Sequence, residues 1–142
     1  MNEELFPKGV EVVELPHYVD SRGALSVADG FDSLPFDVKR LFWITDVPCD
    51  ASRGGHAHWS CHELVFAVAG SFEITIDDGD VSRVFQVEDP HKGIVVPAGA
   101  WCELNNFAPG TVCLVLASEA YAPDGYVNDK TEWRKKIATM KD

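Results

Sequence analysis

The feature that most constrains this 142-residue chain is its punctuation. As far as about residue 118, short runs of aliphatic, aromatic and β-branched residues are cut repeatedly by Gly, Pro and Asp, which is the pattern of strands joined by tight turns. Val10 to Leu15, Leu25 to Ala28, Arg40 to Val47, Glu63 to Ala69, Phe72 to Asp77, Val81 to Val87, Gly93 to Val96 and Thr111 to Ser118 are read as strands. Eight or more strands so close together specify a sandwich or barrel, and the length fits one domain over residues 1–142.

The turn chemistry agrees. Asp77-Asp78-Gly79-Asp80 carries the Asp-Gly pair whose glycine takes positive φ, so the runs on either side form a hairpin. Pro97-Ala98-Gly99 marks a second turn before a strand containing Trp101. Only the tail reads as helix, over about 130–140: Asp129 and Glu132 have capping-box spacing, and Trp133, Ile137 and Met140 recur at helical intervals. This helix is expected to lay its Trp133 stripe on the outside of the barrel.

Charge narrows the partners. A formal charge of −11 disfavours a nucleic-acid or anionic-membrane surface, because phosphate backbones demand clustered cations. A small anion needs only two or three, and Lys39, Arg40 and Arg53 are the candidates. The N-terminus is acidic where a signal peptide is basic, and no apolar run reaches membrane-spanning length, so a cytoplasmic protein is expected. Cys49, Cys61, Cys102 and Cys113 lack Cys-x-x-Cys spacing and suggest neither a disulfide framework nor a thiolate zinc site.

The chemistry concentrates in Arg53-Gly54-Gly55-His56-Ala57-His58. Residues two apart on a strand share a face, so the two imidazoles enter one pocket while Ala57 points away. Gly54-Gly55 lets the preceding loop approach a ligand closely. Glu63 has the wrong parity for a continuous strand, but a turn through Trp59-Ser60-Cys61-His62 places Glu63, Val65 and Ala67 on one side of the next strand and returns the carboxylate to the imidazoles. His17, His62 and His91 each stand alone in loop or rim sequence and are read as surface residues.

These spacings resemble the two cupin motifs: His56, His58, Glu63 and Gly70 for the first, and Pro97, Gly99, Cys102 and Asn106 for the second, with Cys102 where a histidine is usual. The resemblance implies an all-β cupin double-stranded β-helix, or jelly-roll barrel, with a short C-terminal α-helix. Fold alone leaves metal enzymes, metal-free isomerases and binding modules open.

Between about Asp20 and Trp133 the chain further resembles the sugar-nucleotide 3,4-ketoisomerases, the WxcM-like family acting on dTDP-4-dehydro-6-deoxyglucose. The resemblance is carried by Asp20-Ser21-Arg22-Gly23, Leu34-Pro35-Phe36 with Lys39-Arg40, the Arg53-to-His58 block, Gly70-Ser71, Asp77-Asp78-Gly79, and Leu116-Ala117-Ser118 with Tyr121. It implies an isomerase that needs neither cofactor nor metal, a dTDP-linked nucleotide-diphosphate sugar as substrate, and a homodimer with an exchanged N-terminal strand, here about 10–15.

It also implies roles. His56 and His58 are the catalytic pair, Arg53 contacts the substrate or its phosphates, and Trp101 shapes the pocket. From the chemistry of the residues themselves, His58 is read as the principal base and His56 as its acid or shuttle partner, with the reverse assignment open; Arg40 and Lys39 are either phosphate contacts or a solvated strand edge, Glu63 either orients an imidazole or hydrogen-bonds across the barrel, and Cys102 is read as an inert pocket cysteine ahead of a metal-bound or reactive thiol. Phe42, Cys102 and Gly125-Tyr126 depart from the family pattern, each with one polar group fewer. Two other readings stay open: a metal-dependent cupin holding iron or manganese on His56, His58 and Glu63, and a non-catalytic sugar-nucleotide binding module.

Overall fold

The computed structural model describes residues 5–30 and 34–140; most of the acidic stretch at the extreme N-terminus lies outside the described residues. Two five-stranded antiparallel sheets face each other. The first has the order β1 (Val12–Glu14), β9 (Lys92–Val96), β6 (Glu63–Ala69), β11 (Val112–Ala117), β4 (Arg40–Thr45). The second runs β12 (Tyr126–Val127), β5 (Arg53–His58), β10 (Trp101–Asn105), β7 (Phe72–Asp77), β8 (Ser82–Val87). A separate hairpin, β2 (His17–Asp20) with β3 (Gly23–Ser26), stands beside them, and the helix α1 (Lys130–Met140) closes the chain. From β4 onward consecutive strands alternate between the two sheets in the jelly-roll manner except at the β7–β8 hairpin, so the expected cupin barrel is the observed fold.

Strand alternation builds the core. Val65, Ala67, Ile94, Cys113 and Val115 of the first sheet meet Phe72, Ile74, Ile76, Cys102 and Leu104 of the second in one buried cluster. β6 is covered on its other face as well, where Leu64 and Phe66 pack with Leu15, Val95 and Leu116. The helix covers the outer face of the second sheet over β12, β5 and β10: Ala57, Trp101 and Val127 pack on Trp133, which is fully buried and donates its indole N–H to the Gly99 carbonyl at 2.8 Å. Asp129 caps the helix by accepting the Glu132 amide at 3.1 Å. The stripe is shorter than its periodicity predicts, since Met140 is exposed.

The expected strands 63–69 and 72–77 have their observed bounds, and the turn between β7 and β8 is held by Asp77 and Asp78 accepting the amides of Gly79, Asp80 and Val81. The strand expected over 25–28 lies at 23–26, paired with a strand after Pro16 that the punctuation did not reveal. The 10–15 run, read as open to exchange, contributes β1, which pairs within its own chain with β9.

Candidate functional site

The site lies at one mouth of the barrel, in a cavity of about 520 Å³. Its centre is β5. Opposite residues of an antiparallel pair share a face, and β5 pairs with β10 as Ala57 with Trp101, His56 with Cys102, Gly54 with Glu103 and Arg53 with Leu104. The register therefore skips Gly55. The skipped residue makes a β-bulge, and both glycines sit at positive φ, 84° for Gly54 and 74° for Gly55. A Cβ on Gly54 would stand 3.0 Å from the Cys102 carbonyl oxygen. Because the bulge inserts one residue, Arg53 joins His56 and His58 on the inner face although its offset from His56 is odd.

The imidazoles meet edge to face with centroids 4.9 Å apart. His58 Nε2 lies 3.3 Å from Glu63 Oε2, and both side chains are nearly enclosed, so the turn after His58 does return the carboxylate to the pair. Burial lowers the His56 pKa below the ordinary histidine value, and the neighbouring His58 lowers it further against a smaller opposing pull from Glu63. The donor atoms of His56, His58 and Glu63 all lie within 4.8 Å of one another, a set geometrically able to hold a metal ion.

Arg40 and Phe42 enter from β4. The Arg40 guanidinium carbon sits 5.2 Å from the Phe42 ring centre and 5.7 Å from that of Tyr121, and Arg40 Nε is buried without a hydrogen-bond partner among the described residues. Such stacking orients the fork at a cost in hydration that a ligand oxygen can make good. Tyr126 is paired with His58 across β12 and β5, which puts its ring 5.3 Å from that of His58 and 5.5 Å from that of His56. Its hydroxyl lies 3.2 Å from the Tyr121 hydroxyl, a contact that raises the Tyr126 pKa.

Of the residues read from sequence, the cavity gathers His56, His58, Arg53, Arg40 and Glu63, and three are placed elsewhere. Trp101 faces outward with Ala57: its indole N–H donates to Glu103 Oε2 at 2.9 Å and its ring packs against Trp133, so it shapes the helix seat instead of the pocket. Cys102 does turn inward but is buried in the barrel core, where desolvation first and the Glu63 charge second push its thiol well above the ordinary value, leaving it protonated and a poor ligand. Lys39 precedes Arg40 and so takes the opposite side, beside Leu34 and Phe36 in a separate hollow.

Tyr126, Tyr121, Ser52 and Asn128 line the cavity without having been singled out as site residues. The available signal is the polar–apolar–polar alternation of Tyr126-Val127-Asn128, two residues of which form the short β12. His62 accepts the Ala98 amide on Nδ1 at 3.0 Å and pins the 97–99 turn. His17 and His91, read as isolated, instead stack on each other at 3.8 Å.

Comparison with known proteins adds a chemical identity to this geometry. The family model described as FdtA: WxcM-like, C-terminal matches residues 8–138. The TDP-4-oxo-6-deoxy-alpha-D-glucose-3,4-oxoisomerase of Aneurinibacillus thermoaerophilus is 30% identical over 130 residues, covering 92% of this chain and 94% of that protein. A His-to-Asn variant of the 3,4-ketoisomerase QdtA from Thermoanaerobacterium thermosaccharolyticum, in complex with TDP-4-keto-6-deoxyglucose, superimposes with a TM-score of 0.91 at 28% identity, covering 94% of this chain and 97% of that one. The TDP-quinovose 3,4-ketoisomerase WlaRB of Campylobacter jejuni gives 0.85 at 29% identity over 90% of this chain and 98% of that one.

Proposed function

The chain belongs to the FdtA, WxcM-like family, and on that premise we propose that it moves a keto group between C4 and C3 of a TDP-linked 4-keto-6-deoxy sugar, with acid–base chemistry carried by His58 and His56. The observation that carries the reading is two imidazoles on one face of β5, with a buried carboxylate behind one of them and arginines from two strands beside them.

His58 takes the C3 proton. The Glu63 carboxylate at 3.3 Å orients the imidazole and stands beside the positive charge that forms on it. His56, whose depressed pKa keeps it neutral near pH 7, donates its N–H toward the C4 oxygen as negative charge develops there. The O3 proton passes to O4, and the His58 imidazolium returns the proton it took from C3 to C4, leaving the carbonyl at C3. Protons are only relocated, so the step is redox-neutral within the sugar and no external oxidant or reductant is consumed. Tyr126, near both imidazoles, is placed to relay protons to the sugar hydroxyls.

Arg40 and Arg53 are assigned to the diphosphate, to which forked guanidinium groups are suited. We assign no cofactor. Dialysis against a chelator should leave turnover intact, whereas metal-dependent recovery of an inactive apoprotein would support the metal reading of His56, His58 and Glu63. The direct test is incubation with TDP-4-keto-6-deoxyglucose followed by proton NMR of the sugar: a 3-keto product supports the assignment, and tight binding with no turnover supports a binding module instead.

We further propose a homodimer working in the cytoplasm. Tyr18, Val19 and Leu25 on the β2–β3 hairpin, and Leu41 and Trp43 on the edge strand β4, are exposed apolar side chains that a second copy would cover. No helix among the described residues is long and apolar enough to cross a membrane. Light scattering on the eluted protein measures the mass and decides the dimer.

A further inference from the structure

A second group of two histidines and a glutamate lies outside the cavity. Glu14 ends β1, His17 opens β2, and His91 sits in the turn before β9. None of the three lines the substrate cavity. The main chain fixes their approach: Glu14 pairs with Lys92, and the Leu15 amide donates to the His91 carbonyl at 2.7 Å. The imidazoles of His17 and His91 stack with centroids 3.8 Å apart and planes inclined by 23°. His91 Nε2 is 3.9 Å from Glu14 Oε2, and the three donor atoms lie within 4.8 Å of one another.

We propose that Glu14, His17 and His91 form a binding site for a borderline divalent transition-metal ion, zinc foremost, which clips the N-terminal strand and hairpin onto the β8–β9 turn. Two imidazoles and one carboxylate match zinc's preference for nitrogen and hard oxygen donors, with water as the fourth ligand. Metal–ligand distances of about 2.0–2.2 Å require the donors to draw somewhat closer together. Glu14 and His17 are exposed, and the backbone hydrogen bonds already hold the three residues in register, so closure on an ion requires only that side-chain rotation turn the His17 ring out of its stack on His91. His17 and His91 are 74 positions apart in the chain, so a bound ion would cross-link segments that otherwise meet through one strand edge.

The probe is zinc alone, titrated calorimetrically into the full chain purified without a polyhistidine tag. The comparison set is His17→Gln, His91→Gln and Glu14→Gln, beside a His56→Asn/His58→Asn double variant that removes the cavity donors. The expected result is one equivalent of zinc retained by the double variant and lost in His17→Gln and His91→Gln, with zinc raising the melting temperature of the wild type but not of those two variants. Ketoisomerase activity of the rim variants should match the wild type, and their melting temperatures without zinc report that they fold. Zinc uptake unchanged by every rim substitution, or abolished by the cavity double variant alone, would overturn the proposal.

Discussion

Among the described residues the barrel carries two groups of identical composition and similar donor spacing, His56–His58–Glu63 at its mouth and His17–His91–Glu14 on its rim, and they differ in burial and surroundings. The mouth group is drawn from two adjacent strand segments, is largely enclosed, and has arginines and a tyrosine pair for neighbours. The rim group is collected from two strand ends and a turn, with Glu14 and His17 exposed. Burial separates them chemically. Within the cavity one imidazole has a carboxylate 3.3 Å away and the other is desolvated, an asymmetry on which the proposed division into base and donor rests. In water the same three side chains lack that differentiation, and what remains useful is their ability to converge on an ion.

The largest contrast expected between the groups is catalytic. His58→Asn should lower kcat by about 10²–10⁴-fold, the usual contribution of a general base, while TDP binding persists; His17→Asn should leave kcat unchanged. Steady-state rates with a separate TDP binding titration check both halves, and an active His58→Asn protein would dissolve the distinction.

Next comes the arginine prediction. Arg40→Gln should weaken TDP binding by about 10–100-fold, as expected for loss of a charge-assisted contact worth about 1.5–3 kcal/mol. Calorimetric titration measures it, and Lys39→Gln, on the other side of the strand, should bind TDP as the wild type does.

The bulge can be tested by Gly54→Ala. Positive φ and the approach to the Cys102 carbonyl should together cost about 1–3 kcal/mol in urea unfolding. Because the same change disturbs how Arg53 joins the histidines, kcat/KM should also fall.

The smallest effect is one of pH. His56 has a folded-state pKa below the ordinary 6.5, so between that value and its folded pKa the unfolded chain binds more protons. Stability contributed by neutral His56 is therefore present above pH 6.5 and declines as pH falls through the ordinary value towards the folded one. Urea unfolding at pH 7 and pH 5 should show a smaller loss for His56→Gln than for the wild type.

Much of the mouth was legible because it depends on local parity. His56 and His58 had to share a face, and the alternation of Glu63, Val65 and Ala67 was enough to aim the carboxylate. The same parity rule forbids Trp101 and Cys102 from lining one pocket, since neighbours on a strand face opposite ways, and it separates Lys39 from Arg40. What local pattern does not carry is register. The place of Arg53 depends on which residue of β5 the partner strand skips, and Tyr126 reaches His58 only through the pairing of β12 with β5. The stacking of His17 on His91 likewise follows from β1 closing on β9, a contact invisible in either neighbourhood of the chain.

The central claim is that His58, backed by Glu63, transfers a proton at sugar carbon. Incubation with TDP-4-keto-6-deoxyglucose in deuterium oxide, followed by proton NMR, reads that transfer at the atoms involved. The account predicts conversion to the 3-keto sugar with solvent deuterium appearing at C3 or C4, and loss of both signals in His58→Asn. Neither conversion nor deuterium uptake by folded wild-type protein, or undiminished exchange in His58→Asn, would contradict it.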